Sequence, residues 1–178
     1  MIRFAHDLDR LPTLASASDG DRVLRWLAEA TAQGSAVVPP PAFDLGQPYT
    51  RTLLHKNENF ELLALHWQPG TFTSLHDHGG KQCWFAVAGG SMTVENFRRV
   101  DGGTTEGYAS LTRLGEMSLE SGAIDYRADD ADVHRCIALQ KTTTLHLYAA
   151  PLGIYHVFDE RRGTVAESTS TYDAIARV

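Results

Sequence analysis

A series of ten short segments that read as β-strands limits the possible folds most strongly. They cover residues 49–55, 60–67, 72–78, 82–89, 91–97, 111–119, 123–127, 132–139, 143–149 and 154–158. Turn-forming residues lie between them, for example Gly89-Gly90 and Glu120-Ser-Gly. Many short strands at close spacing favour a small closed barrel or sandwich, in which few strand edges stay free. Residues 160–178 are polar and predict a late edge strand or a short tail.

A helical segment precedes the strands. Between Asp21 and Gln33, apolar residues recur at three- and four-residue spacing, as one face of a helix requires. The Pro39-Pro40-Pro41 run cannot be helical and predicts an extended connector. We therefore expect a single domain over residues 1–178, all-β in class, with a helical lead-in over residues 1–38 and a barrel over residues 49–163.

Composition excludes several classes of function. The formal net charge is −6 and no block of basic residues occurs, which argues against nucleic acid or an anionic membrane as a partner. No apolar run reaches the roughly 20 residues that a membrane-spanning helix needs. The first residues are too acidic for a signal peptide. Two cysteines form no disulfide framework, so we expect the protein in the reducing cytoplasm. We also expect a monomer.

Three histidines are candidate metal ligands. His76 and His78 are two residues apart in a strand, so both imidazoles point to one face and Asp77 points to the other. A pair of this kind is often only packed or at the surface. The third candidate is His134, which only a folded barrel can bring alongside. Three imidazoles suit zinc as well as iron, so the spacing alone does not choose the metal.

The histidines belong to a longer pattern, Gly-x5-His-x-His-x4-Cys-x6-Gly over residues 70–90. It resembles the first metal motif of the cupin superfamily, with Cys83 where many cupins have a glutamate ligand. Further matching segments are Tyr49-Thr-Arg51, Trp67, Val133-His134-Arg135, Leu145-His146-Leu-Tyr148 and His156-Val-Phe-Asp. Together these resemble the thiol dioxygenases, and most closely cysteine dioxygenase, over about two thirds of the chain.

The resemblance implies a jelly-roll-like cupin barrel that holds Fe(II) at His76, His78 and His134. It also implies oxidation of L-cysteine by O2 to L-cysteine sulfinic acid. Three neutral imidazoles leave the metal its full double positive charge, which favours an anionic thiolate.

Arg51 corresponds to the arginine that holds the substrate carboxylate in this family, and a guanidinium suits a carboxylate because its donors form a rigid fork. Relatives that prefer 3-mercaptopropionate carry glutamine there, so Arg51 implies L-cysteine. Without the resemblance, a surface residue of the first strand is the favoured interpretation of Arg51. Tyr49 is expected to support Arg51, and His156 to lie near the pocket mouth, where it orients substrate or other site residues.

Thr144, His146 and Tyr148 alternate along one strand and share a face. His146 can position the Tyr148 hydroxyl, which the family uses to donate to substrate or oxygen. Three inward polar residues that merely satisfy one another would give the same pattern.

Two positions carry further expectations. The resemblance implies that Cys83 forms a thioether with Tyr148, and the alternative is a buried free thiol. After Tyr148, this chain has Ala149-Ala150-Pro151 where the family has Ser-Pro-Pro, often with a cis bond. We expect a trans bond between Ala149 and Ala150, because a cis bond without proline costs about 2.5–4 kcal/mol.

Three other functions remain open at this point. The substrate can be another small thiol such as 3-mercaptopropionate. The chain can be a cupin that binds a metal as a ligand-binding module or isomerase, without oxygen chemistry. It can also be a structural barrel with incidental histidines, in which case it binds no metal tightly.

Overall fold

The computed structural model describes residues 46–128 and 131–176. The helical lead-in over residues 1–38 lies outside the described residues, and the limits of the domain stay a prediction. The described strands are β1 Tyr49–Lys56, β2 Glu61–Trp67, β3 Leu75–His76, β4 Gln82–Gly89, β5 Ser91–Arg99, β6 Leu111–Glu120, β7 Ile124–Arg127, β8 Asp132–Ala138, β9 Thr142–Ala149, β10 Ile154–Asp159, β11 Thr164–Thr169 and β12 Ala174–Ile175.

The strands form two six-stranded sheets, which confirms the all-β class and the cupin barrel. The first sheet has the order β12-β1-β2-β9-β4-β7, and the second has the order β11-β10-β3-β8-β5-β6. The neighbours are antiparallel except β1 and β12, which run parallel. Strands that are adjacent in space are therefore often distant in sequence, and this brings the candidate site residues together.

All ten predicted strands are present, but the third is much shorter than expected. Only Leu75–His76 forms a strand where residues 72–78 were predicted, and Phe72 adds an isolated bridge to Ile137. The polar tail contributes one edge strand to each sheet, β11 and β12, so the sheets extend beyond Gly163. The predicted late edge strand is confirmed.

Apolar residues fill the space between the sheets. Leu63, Leu65 and Trp67 alternate along β2 and pack in the same cluster as Met92 and Val94 of the second sheet. All seven residues of β2 are buried, because the alternate residues pack in a second cluster with side chains of β4 and β9. Each fully buried large side chain contributes about 1.5–3 kcal/mol to folding, so this central strand is a rigid support for its neighbours.

The peptide bond between Ala149 and Ala150 is cis, so the expected trans geometry was wrong. That expectation used only the local preference of a bond without proline. Tertiary contacts constrain the chain on both sides of this bond. Ala149 pairs with Gln82 on β4, and Leu152 is buried in the core.

Across residues 46–128 and 131–176, the structure contains no helix that is both long enough and apolar enough to cross a membrane.

Candidate metal centre

One strand pairing and the segment that follows it bring the candidate ligands together. His76 ends β3 and lies directly opposite His134 on β8, while His78 follows in the next turn. The ring centroids are 4.6 Å apart for His76 and His134, 4.9 Å for His78 and His134, and 5.5 Å for His76 and His78. One ring nitrogen from each residue lies within 4.8 Å of the others. The predicted convergence of the three imidazoles is therefore confirmed.

Burial keeps these imidazoles neutral, and a neutral imidazole has the lone pair that a metal ligand needs. Burial lowers the pKa of His76, and it lowers the pKa values of His78 and His134 well below the usual range. For His78 and His134 the neighbouring histidines add to this effect, because a second positive charge nearby is unfavourable.

Two details of hydrogen bonding fit a bound divalent cation. The Nδ1 of His76 is 2.9 Å from the carbonyl oxygen of Ser74, so a proton on Nδ1 leaves Nε2 free as a ligand. Among the residues that the structure describes, neither ring nitrogen of His134 has a hydrogen-bond partner, although the residue is buried. A metal ion would supply a partner for one of these two nitrogens. Three nitrogen ligands fit Fe(II) or zinc and leave coordination positions open.

Asp77 turns away from the metal ligands, as the alternation predicts. Its carboxylate accepts hydrogen bonds from the backbone N–H of His156 at 2.7 Å and of Gly79 at 3.1 Å. Its second oxygen is 2.8 Å from Nδ1 of His156. Asp77 therefore ties the turn that carries the ligands to β10.

His156 lies away from the cavity beside the metal ligands. Its neighbours Tyr155 and Val157 line that cavity, while the ring of His156 contacts Asp77 on the other side of the strand. The expected place at the pocket mouth is not observed, because strand alternation turns His156 outward. Its geometry supports a role in holding Asp77, and any role in orienting substrate stays a prediction.

A cavity of about 80 Å³ lies between the sheets, beside the three histidines. Four other residues expected at the site also line it, namely Tyr49, Arg51, His146 and Tyr148. Its wall further includes Trp67, Cys136 and Tyr155. The sequence analysis named Trp67 only as part of the family pattern and did not single out Cys136 or Tyr155. Cys136 lies two residues after His134 on β8, so both side chains share a face, and this spacing could have placed Cys136 at the cavity.

Arg51 reaches the cavity from β1. Its Nη2 donates to the Ser170 hydroxyl oxygen at 2.8 Å, and its buried Nε has no hydrogen-bond partner within the described part of the chain. Tyr49 packs against Trp67 with ring centroids 4.4 Å apart. Burial raises the pKa of Tyr49 and the charge of Arg51 partly opposes this shift. The phenol and the guanidinium therefore share one wall of the cavity.

A chain of hydrogen bonds runs through β2 and β9, in the same sheet as Arg51. The indole N–H of Trp67 donates to the Thr144 hydroxyl oxygen at 2.9 Å, and that oxygen is 2.8 Å from Nε2 of His146. The Tyr148 hydroxyl lies 3.5 Å from Nδ1 of His146, a longer and weaker contact. Burial lowers the pKa of His146 to about 3 and raises that of Tyr148 well above its usual value. Both groups are neutral at physiological pH.

Cys83 lies directly opposite Tyr148 across β4 and β9, so both side chains point to the same face. It is fully buried, is a free thiol and does not line the cavity. Burial is the main cause that raises its pKa, and a hydrogen bond with Tyr148 opposes the shift. The structure therefore brings the two residues of the expected thioether into contact.

Comparison with known proteins agrees with this site. The family model described as cysteine dioxygenase type I matches residues 36–161. Human cysteine dioxygenase type 1 is 30% identical over 128 residues, which are 70% of this chain and 62% of the human protein. The zebrafish (Danio rerio) protein of the same name is 29% identical over 119 residues, 65% of this chain and 58% of that protein. The match therefore spans less than two thirds of these relatives.

Among solved structures, oxalate oxidase in complex with the substrate analogue glycolate matches with a TM-score of 0.50 and 14% identity. The match covers 65% of this chain and 58% of that one. At this identity the likeness concerns the barrel fold alone. The fold, the three-histidine site and the extent of the family match agree, and the chain belongs to the cysteine dioxygenase type I family.

Proposed function

We propose that this protein is an Fe(II)-dependent dioxygenase that oxidises L-cysteine with O2 to L-cysteine sulfinic acid, acting as a monomer in the cytoplasm. The observation that carries the proposal is that a guanidinium, Arg51, lines the same small cavity as three neutral histidines, of which His78 and His134 are buried. Such a cavity can take a small molecule that has both a thiol and a carboxylate. It is far smaller than the roughly 300–1,000 Å³ pockets of drug-sized ligands.

Arg51 is suited to bind the carboxylate. One of its terminal nitrogens is held by Ser170, and its Nε has no partner among the described residues. A buried guanidinium gains most from a charged acceptor, because hydrogen bonds to ionised groups are about twice as strong as neutral ones. The carboxylate of L-cysteine would supply that acceptor.

When bound at the three histidines, Fe(II) would supply coordination positions for the thiolate and dioxygen and would mediate the transfer of electrons from sulfur to oxygen. The protein residues then orient the reactants. If Thr144 donates to Nε2 of His146, the proton of His146 is on Nδ1 and points to the Tyr148 oxygen. The hydroxyl proton of Tyr148 is then free to be donated into the cavity, and the raised pKa keeps it in place.

The proposal includes a thioether between Sγ of Cys83 and the ring of Tyr148. A carbon–sulfur bond would form as a thiol hydrogen and a ring hydrogen are lost, with two electrons passing to O2. Intact mass before and after turnover would show the loss of two hydrogens in the wild type and none in Cys83→Ala. An unchanged mass, with Cys83 still open to alkylation after unfolding, would contradict this part.

The main experiment measures O2 uptake and products for the iron-loaded protein with L-cysteine, 3-mercaptopropionate and cysteamine. We expect L-cysteine to be preferred and cysteine sulfinic acid to form. Arg51→Gln should lower the activity on L-cysteine and raise the relative activity on 3-mercaptopropionate, while Arg113→Gln, an exposed strand residue, serves as the control. A wild type that prefers 3-mercaptopropionate would overturn the choice of substrate. Iron binding without O2 uptake on any thiol would favour a non-oxygenase metal-binding cupin.

A further inference from the structure

The last described residues of the chain, 170–176, form a strap that lies along β1 and includes the edge strand β12. We propose that Ser170 and Asp173 in this strap are positioning residues for Arg51, so that the C-terminal segment helps to set the preference for a substrate with a carboxylate. The inference rests on the proposed function, because it assigns a partner to the residue that would bind the substrate.

Asp173 fixes the backbone of Arg51 on the side of β1 that faces β12. Its Oδ2 accepts a hydrogen bond from the backbone N–H of Arg51 at 2.7 Å, and its own backbone N–H donates to the Arg51 carbonyl at 2.8 Å. Its Oδ1 accepts from Nε2 of Gln47 at 2.8 Å. β12 pairs with only two residues of β1, Thr52 and Leu53. Asp173 comes just before β12 and provides the partners for the backbone groups of Arg51, which this short pairing does not reach.

Ser170 fixes the other end of the side chain. Its hydroxyl oxygen accepts from Nη2 of Arg51 at 2.8 Å, and its backbone N–H donates to the carbonyl oxygen of Gly153 at 2.9 Å. An arginine side chain has many rotamers, and ordering it on binding lowers affinity. Because Arg51 is held at its backbone and at its guanidinium, a carboxylate meets a fork that is already oriented.

The strap itself is well attached, which makes it a reliable support. The Tyr172 hydroxyl donates to Oε2 of the fully buried Glu61 at 2.8 Å, and Nζ of Lys56 donates to the Tyr172 hydroxyl at 2.9 Å. Beyond these side chains, the backbone N–H of Ala176 donates to the Leu53 carbonyl at 2.9 Å. Three residues of β1 and β2 therefore hold the segment that holds Arg51.

The test measures the anaerobic dissociation constant of L-cysteine for the iron-loaded protein by calorimetry. Ser170→Ala should raise this constant roughly 5- to 20-fold, since it removes one hydrogen bond to a charged group. Ser170→Thr keeps the hydroxyl and should restore most of the affinity. Thr171→Ala, an exposed residue of the strap, is the matched control and should stay within about twofold of the wild type.

A double-mutant cycle separates positioning from general structural support. If Ser170 acts through Arg51, Ser170→Ala should have little effect in the Arg51→Gln background. The inference would be overturned if Ser170→Ala weakened binding equally in both backgrounds, or if it had no effect in the protein that retains Arg51. Asp173→Asn should weaken L-cysteine binding more than cysteamine binding, because cysteamine lacks the carboxylate, and equal losses would also overturn it. O2 uptake by the wild type reports on the proposed function separately, since binding is measured without oxygen.

Discussion

Replacing Thr144 by valine tests the hydrogen-bonded chain behind the cavity, because valine has nearly the same shape but no hydroxyl. In the structure, Thr144 is fully buried and its oxygen contacts both the Trp67 indole N–H and Nε2 of His146. The substitution leaves two buried polar groups without this partner. Each such group costs about 1–3 kcal/mol, so we expect a loss of about 2–6 kcal/mol in the free energy of unfolding. This is a large share of a total stability of roughly 5–15 kcal/mol.

The free energy would be measured by urea unfolding of the metal-free protein, followed by circular dichroism. Thr144→Ser keeps the hydroxyl and loses one methyl group, so it should cost only about 1 kcal/mol. Thr112→Val, at an exposed position of β6, should change stability by less than about 0.5 kcal/mol. The serine variant should also retain the pH profile of turnover, and the valine variant should not. The reasoning is refuted if Thr144→Val is as stable as Thr144→Ser.

Three further predictions concern the buried imidazoles and one turn. In the metal-free protein, His146 and the three ligand histidines stay neutral while the unfolded chain takes up protons below about pH 6.5, so acid favours unfolding. The unfolding free energy should fall by up to about 1.4 kcal/mol per histidine between pH 7.5 and 5.5, and less steeply in His146→Gln; a flat profile would contradict this. His134→Ala should weaken iron binding more than about 100-fold in a chelator competition, whereas the buried His66→Ala control should bind iron normally. Gly79→Ala should lower the free energy of unfolding in urea more than Gly122→Ala. Both glycines have positive φ, but only at Gly79 would the new Cβ meet a neighbouring backbone carbonyl. Equal losses of stability would show that this close approach is unimportant.

The sequence predicted the strands well because the buried ones alternate or are continuously apolar. β2 is buried at all seven positions, and its pattern of large apolar residues is visible in the sequence. β11 was expected only as part of a polar tail, because its residues are mostly exposed and show no apolar alternation. Edge strands of this kind are set by backbone pairing, which side-chain patterns do not record.

The candidate site was predictable as far as the spacing of its residues carried information. The faces of His76, His78 and Tyr148 follow from strand alternation, and the family pattern pointed to His134. The partner of Arg51 was not predictable, since Ser170 is 119 residues away and has no distinguishing neighbours. The outward direction of His156 depends on where β10 begins, and alternation alone cannot give that phase.

The hydrogen bonds of Asp77 affect how the metal site is built. Asp77 lies between the ligands His76 and His78 and anchors their turn to β10. The same strand carries Tyr155, which faces the cavity. Binding of a cation would therefore require little rearrangement of His76 and His78, because the Asp77 carboxylate holds their turn from the side away from the cavity. Any movement of that strand during substrate entry would be transmitted through this carboxylate to the ligand geometry, so access and coordination are mechanically linked.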